Sequence, residues 1–296
     1  MSLNSVNTNM GAMVALQSLE STQQQLSATQ KQISTGFRVA DSTDDGAAYA
    51  IAQTVRSTVG ALTSANQQLG NVTGLLTTTQ TGLNNISNTM NSMRDVLLKL
   101  ADSTTVGSER TQYASQYNKM LFEVQSDVED ASYSGKTLIG NITAATSSDG
   151  SKSTGSFARV AVTRNENGAS YGIATFGGSA LYGSINFGTG TASTNTLGAA
   201  ATVATLVTEG GVFIKWQASV NNALASIGSS INYVNDQTTY NNGKIDALNG
   251  GLGSLVDADL AKESAQLTAL QIRQQLGTQA LSLANQAPQT LLSLFK

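Results

Sequence analysis

The stretch from Ile51 to Leu100 reads IAQTVRSTVGALTSANQQLGNVTGLLTTTQTGLNNISNTMNSMRDVLLKL. Steps of four and three residues alternate through it without a break. They pass through Ile51, Val55, Thr58, Leu62, Ala65, Leu69, Val72, Leu76, Thr79, Leu83, Ile86, Met90, Met93, Leu97 and Leu100. Only the two threonines are not apolar. A pattern kept over about seven heptads specifies one helix with a coiled-coil-like seam, on the order of 75 Å long at 1.5 Å per residue. Asp44 and Asp45 stand just before it, where an N-cap belongs.

The same spacing returns near the other end of the chain, through Val220, Leu224, Ile227, Ile231, Val234, Thr238, Asn241, Ile245, Leu248, Leu252 and Leu255. Between the two seams, a further helix is expected from about Glu109 to Ser132, with Tyr113, Tyr117, Met120, Val124 and Val128 on one face and Gly135 stopping it. Residues 141–211 are rich in Gly, Ser and Thr and lack helical periodicity. There, Ser156–Thr163 and Tyr182–Phe187 read as edge strands or hairpins, and Leu197–Val207 as one short helix. Two long seams around a β-rich excursion predict a mainly α fold. Its N- and C-terminal segments form a long antiparallel coiled-coil-like bundle, with a small β-hairpin region in the middle. The seam residues that carry this expectation are Leu62, Leu69, Leu76, Leu83, Ile86, Met90, Met93 and Leu97 on the first helix. On the second they are Ile227, Ile231, Val234 and Leu248. The segments expected are 1–43, 44–140, 141–211, 212–254 and 255–296.

The extreme ends carry amphipathic patterns of their own. Leu3, Val6, Met10 and Met13 share heptad spacing, and a shifted stripe of Leu16, Leu19, Leu26 and Ile33 follows, with Gln23 and Gln30 in the gaps. Near the other end come Leu260, Leu267, Leu270, Ile272, Leu276, Leu281 and Leu283, then Leu291, Leu294 and Phe295. Chain ends are ordinarily frayed and polar unless something ties them down. These stripes are wider than a single seam, so one partner helix cannot cover them. The remainder is apolar surface for other subunits. Gln23, Gln30 and Asn241, polar within the seams, are candidates for fixing register.

Composition excludes several classes of function. Hydrophobic residues make up 40% of the 296, enough for a core, but charged residues make up 12%, about half the usual share. Net charge is −3 and no basic run occurs, which argues against nucleic acid as a partner. The sequence holds no Cys and no His. Thiolate nucleophiles, a Ser-His-Asp triad and an HExxH zinc site are therefore all unavailable. No catalytic, cofactor or metal residues are assigned. The opening residues do not read as a secretory signal peptide, and no run of about 18 apolar residues spans a membrane. The one proline, Pro288, leaves long helices uninterrupted.

Four segments then resemble one family. Ser34-Thr-Gly-Phe-Arg-Val-Ala-Asp-Ser-Thr-Asp-Asp-Gly-Ala-Ala48 resembles a segment of bacterial flagellins that reads SGLRI-N-S-A-x-DD-A-A. Leu255-Val-Asp-Ala-Asp-Leu-Ala-Lys-Glu263 is similar to the family's I-x-D-A-D-x-A-x-E. The ending, with Ala284-Asn-Gln-Ala-Pro-Gln289, is similar to A-x-A-N-Q-x-P-Q-x-x-L-x-L-L, and Leu3-Asn-Ser-Val-Asn-Thr-Asn9 fits the family's opening. These segments lie at the right ends and in the right order, over about the first 140 and last 80 residues.

The resemblance implies a filament subunit, a homopolymer with the terminal helices as its inner (D0) layer and the long helices as the surrounding (D1) layer. It implies secretion unfolded through the flagellar export apparatus, cap and junction proteins as partners, an extracellular filament, and no membrane. The short middle leaves room only for a small hairpin region facing solvent, whose Ser and Thr within 141–211 are candidates for O-linked glycans. Family members recognised by the innate immune Toll-like receptor 5 carry Arg-Val-Arg-Glu-Leu on the outer helix. Ser92, Arg94 and Asp95 align with that stretch here, and Glu123 with a Glu on the facing helix, so the first Arg is missing and weak or absent activation is expected. Two other readings stand beside this one: a related hook–filament junction protein, and an exported coiled-coil enzyme using carboxylates such as Glu166.

Overall fold

A computed structural model describes residues 9–140, 160–187 and 196–294 of the chain. In chain order the helices are α1 (Met10–Thr35), α2 (Gly46–Ala101), α3 (Gly107–Asp130), α4 (Gly178–Ile185), α5 (Ala200–Val207), α6 (Val212–Val256) and α7 (Leu260–Leu294). Two antiparallel hairpins lie between α3 and α4: β1 (Ser132–Tyr133) with β2 (Lys136–Thr137), and β3 (Val160–Thr163) with β4 (Ser170–Ile173). The chain divides into two compact units, residues 1–59 with 246–296, and residues 60–245.

In the second unit the seam read from sequence is the core. Every seam position from Leu62 to Leu100 is buried, including Leu69, Leu76, Leu83, Ile86, Met90, Met93 and Leu97. Even Thr79 fits, because its hydroxyl donates to the Leu75 carbonyl one turn back (2.8 Å) and leaves no unpaired donor. Tyr117, Leu121, Val124 and Val128 of α3 close one side of this seam, and Val220, Ile227 and Val234 of α6 join the same cluster. Ile231 is half-buried against it.

Three polar pairs across α2 and α6 fix the register. Asn66 Nδ2 donates to Asn242 Oδ1 (2.7 Å), Ser87 Oγ to Asn221 Oδ1 (3.4 Å), and Gln217 Nε2 to Asn91 Oδ1 (2.6 Å). Moving 25 residues along α2 from Asn66 to Asn91 thus matches moving 25 back along α6, from Asn242 to Gln217. That is an antiparallel pair without a slip. Asn241 stands on the seam itself, fully buried. Its Nδ2 donates to Asn66 Oδ1 (2.8 Å) and to the Arg164 carbonyl (3.0 Å), and its Oδ1 accepts from Gln237 (2.9 Å). Gln23 and Gln30, by contrast, are exposed.

The middle of the chain departs from expectation in three ways. Its described residues do not stand out in solvent, because Val162, Ile173, Leu181, Ile185, Leu197, Val203 and Leu206 all join the core. Tyr182–Phe187 does not form a strand. Leu181 and Ile185 lie four apart and point inward together, so a helical turn buries both where an alternating strand would expose one. β3 falls within the Ser156–Thr163 strand read from sequence, but its partner β4 was missed, as was the β1–β2 hairpin, which turns through Ser134 (φ 50°) and Gly135 (φ 73°), the positive-φ pair a two-residue hairpin needs.

Both hairpins are tied to helices. A Cβ at Gly74 would lie 2.8 Å from the Tyr133 ring, and one at Gly82 2.8 Å from Ala131 Cβ, so α2 is bare where the β1–β2 segment crosses it. On β3–β4, the Tyr171 ring stacks on Tyr233 of α6 (centroids 4.1 Å), Arg164 Nη1 donates to the Tyr233 hydroxyl (3.0 Å), and Glu166 pairs with Lys244.

Asn241→Ala removes the donor serving both Asn66 and the Arg164 carbonyl in a buried setting. We expect a loss of about 1–3 kcal/mol in unfolding free energy, read from denaturant melts of the purified chain. Asn242→Ala, at an exposed position with one cross-helix bond, should stay within about 0.5 kcal/mol.

Candidate assembly surface

The first unit is built on α1 and α7, which run antiparallel. Their facing residues follow the 4-3 rule on both helices. On α1 these are Ala12, Ala15, Leu19, Thr22, Leu26, Thr29 and Ile33; on α7 they are Glu263, Leu267, Leu270, Gln274, Gly277, Leu281 and Ala284. All are at least half-buried, and Leu270 and Thr29 are fully so. The pair is locked at both ends. Asn9 caps α1 by accepting from the Ala12 amide (3.1 Å), and its own amide donates to the Ala284 carbonyl of α7 (2.7 Å). At the other end Phe37 bridges Asp257, with the Arg38 amide donating to the Val256 carbonyl (2.7 Å) and the Ala258 amide to the Gly36 carbonyl (3.0 Å). Midway, a Cβ at Gly277 would come within 3.2 Å of Leu19 Cδ1, a close approach that larger residues would hold apart.

Beside this lock, Val39, Ala48, Ala52 and Val256 form a small second core. It corrects the start of the long seam: α2 enters through Ala48 and Ala52, so Ile51 points outward and is 55% exposed. Leu255 is likewise half-buried beside a fully buried Val256, and Leu248 is half-buried. Of the two candidate caps, Asp45 serves, accepting from the Ala47 and Ala48 amides (3.1 and 3.0 Å).

What remains on α1 and α7 is a second apolar face turned outward. Met10, Met13, Val14 and Leu16 are exposed on α1, with Val14 at 62%. On α7, Leu260, Ile272, Leu276 and Leu283 are exposed, with Leu283 at 71%. Each such side chain gains about 1.5–3 kcal/mol on full burial, of which only part is realised within the isolated chain. The structure therefore separates the stripes read from sequence. Leu19, Leu26, Ile33, Leu267, Leu270 and Leu281 close the α1–α7 pair, while Met10, Met13, Leu16, Leu260, Leu276 and Leu283 face away. Leu3, Val6 and Phe295 lie outside the described residues, as do the side chains of Leu291 and Leu294. Sequence reading missed the inner positions Thr22, Thr29, Glu263, Gln274 and Gly277, which an unbroken 4-3 count would have found.

The turn between α1 and α2 is organised by charge. Lys31 Nζ contacts Asp41 Oδ2 (2.7 Å) and Asp44 Oδ1 (2.8 Å), and Asp44 also accepts from the Ala40 amide (3.0 Å). The lysine holds both carboxyls below their ordinary range, helped by Thr43 at Asp41 and by the Ala40 amide at Asp44, and those two aspartates raise Lys31 in turn. Ser92, Arg94 and Asp95 on α2 and Glu123 on α3 are exposed in the second unit. Among the described residues no cluster could hold a metal ion, and no helix is long and apolar enough to cross a membrane.

Residues 6–144 match the bacterial flagellin N-terminal helical region, and residues 215–295 the bacterial flagellin C-terminal helical region. Flagellin FljM of Caulobacter vibrioides is 30% identical over 296 residues, covering 100% of both chains. The chain belongs to the bacterial flagellin family. It is a structural subunit of the flagellar filament, and the two-ended helical pattern is the family's own. A flagellin of Brucella melitensis is 28% identical over 299 residues, covering 99% of each chain. Among solved structures, a putative flagellar hook-associated protein from Vibrio parahaemolyticus is 18% identical, covering 78% of this chain and 98% of its own, at a TM-score of 0.39. A likeness that loose does not discriminate between kinds of subunit.

The Lys31 cluster has a pH signature. Asp41 and Asp44 have folded values below their ordinary 3.8, so their contribution is complete above that pH and is lost as pH falls through the depressed values. Lys31, raised above 10.5, contributes fully below that pH and loses its share only as pH rises beyond it. Hydrogen-exchange protection over residues 38–45, taken relative to the intrinsic exchange rate at each pH, should therefore persist until the pH falls well below 3.8. In Lys31→Met the loss of protection should begin nearer that value.

Proposed function

We propose that the outward apolar faces of α1 and α7 are the contacts by which copies of this flagellin join head to tail. The single observation that carries this is Met10, Met13, Val14, Leu16, Ile272, Leu276 and Leu283 standing exposed on two helices already sealed against each other. A monomer would hide such residues in its own seam; here that seam is full. Contacts between different faces of successive copies propagate into an open helix rather than closing into a dimer. In this reading residues 1–43 and 255–296 form the innermost (D0-like) layer. Residues 44–140 and 212–254 form the (D1-like) layer around it, with the described part of 141–211 packed into that layer's core.

Two further parts of this reading follow from family resemblance. The chain leaves the cell through the flagellar export apparatus and meets cap and junction proteins at the filament end. A chain without cysteine and with one proline, rich in local helical contacts, suits threading and rapid folding. Ser and Thr within 141–211 are proposed acceptors of O-linked glycans. The role is mechanical, with the filament acting as a propeller turned from its base.

Leu276→Asp and Leu283→Asp place a charge on the outer face and leave the α1–α7 seam untouched. Circular dichroism of the monomer should be unchanged, while sedimentation of seeded reactions should show elongation abolished. Removing residues 281–296 should abolish it as well, and filaments formed by any of the three would overturn the assignment.

Exposure of Ser92, Arg94, Asp95 and Glu123 supports a second expectation. With Ser92 where an Arg is aligned in stimulatory members, purified monomer should activate Toll-like receptor 5 reporter cells weakly or not at all. Restoring Ser92→Arg should raise the response, and a full-strength response of the unaltered chain would refute the alignment.

A further inference from the structure

The sequence holds three Asn–Gly pairs, Asn167–Gly168, Asn242–Gly243 and Asn249–Gly250, and all three asparagines are exposed. Exposure alone does not separate them, but the backbone does. Asn242 and Asn249 lie inside α6, where each following amide is committed to a helical hydrogen bond and the helical ψ turns it away from the asparagine's own Cγ. Asn242 is further held by Asn66 across the helix pair (2.7 Å). Asn167 instead sits in the loop between β3 and β4, followed by Gly168 at φ 75° with open space where a Cβ would stand.

The loop is organised around Asn165 rather than Asn167. Asn165 Oδ1 accepts from the Ala169 amide (3.0 Å), and its carbonyl accepts from the Gly168 amide (3.2 Å). The Arg164 amide and Ala169 carbonyl close the loop (2.8 Å). No hydrogen bond holds the Asn167 side chain among the described residues. Among the described residues one exposed turn bond restrains the neighbouring amide nitrogen, and a residue without a side chain leaves that nitrogen unhindered.

We propose that Asn167 is a site of spontaneous covalent modification, converting through a succinimide to aspartate and isoaspartate in the folded protein. Hydroxide removes the Gly168 amide proton, and that nitrogen attacks Asn167 Cγ. The new bond from the Gly168 nitrogen to Cγ closes a five-membered ring as the bond from Cγ to Nδ2 breaks and ammonia leaves. Water then opens the ring at either carbonyl, so the net change is uptake of one water and release of one ammonia. The product places a new carboxylate next to Glu166, whose partner is Lys244, on a protein already carrying −3. The isoaspartate form also adds a methylene to the backbone of the loop. The converted fraction at Asn167 therefore grows with the age of the subunit.

The test uses the full-length protein, assembled or monomeric, incubated at neutral and mildly alkaline pH and mapped by peptide mass spectrometry. Isoaspartate is read with isoaspartyl methyltransferase and labelled methyl donor. Asn167 should lose its amide at least about tenfold faster than Asn242 or Asn249, because the helical sites react only through local opening. Its rate should rise with pH. In urea the three sites should converge, and in Asn167→Gln the hairpin label should vanish. Comparable rates at all three sites in the folded protein would overturn the proposal. So would an intact Asn167 under conditions where the unfolded protein converts, or a hairpin label that persists in the Gln variant.

Discussion

Everything in this protein hangs on heptad seams closed between segments far apart in sequence. In the second unit α2 and α6 meet along Leu62–Leu100 and Val220–Val234, and in the first α1 meets α7. Burial alone would let such helices slide, since one heptad of leucines looks much like the next. The polar pairs at Asn66, Ser87 and Asn91 remove that freedom, because a slipped register would separate them and strand the buried Asn241. Buried asparagine trades some stability for a unique alignment. The hairpin β3–β4 then depends on that alignment, since the Arg164 carbonyl accepts from the same Asn241 amide.

The seams were legible because their periodicity is long, and a long count averages out single exceptions. Thr79 did not spoil the count, and the structure shows why: a threonine satisfying its hydroxyl one turn back behaves as a small apolar residue. Where the count started was less secure. Ile51 fits the arithmetic and faces solvent, because a separate cluster around Ala48 and Ala52 sets the helix orientation there. Small residues carry little hydropathy signal, so alanine-built contacts are hard to hear beside an isoleucine.

The middle was only partly read, for a related reason. Gly- and Ser-rich composition suggested solvent, yet Leu181, Ile185, Val203 and Leu206 are scattered anchors that reach the core from short helices. An eight-residue helix such as α4 offers too few turns for a period to declare itself, whereas α5 falls within the Leu197–Val207 helix read from sequence. At the termini, the width of the apolar stripes was readable, but not which residues face inward. Leu19 and Leu16 look equivalent in sequence; only the presence of α7 separates them. The polar members of that seam, Thr22 and Gln274, were invisible to a search for apolar residues.

The hydrogen bond from Asn9 to Ala284 joins residues 275 apart. Closing a flexible loop of that length costs about 5 kcal/mol in entropy, beyond the fixed penalty of closure. The cost shrinks once Asn66 and Asn242 are already side by side, since the intervening segment is then no longer free. The α1–α7 pair is thus favoured to form last, after the second unit has zipped. Until that pairing the inner stripe of α1 and α7 is uncovered along with the outer one, and only the final step leaves the outer face standing alone. The order of loop closures therefore sets the step at which the outer face takes its final form.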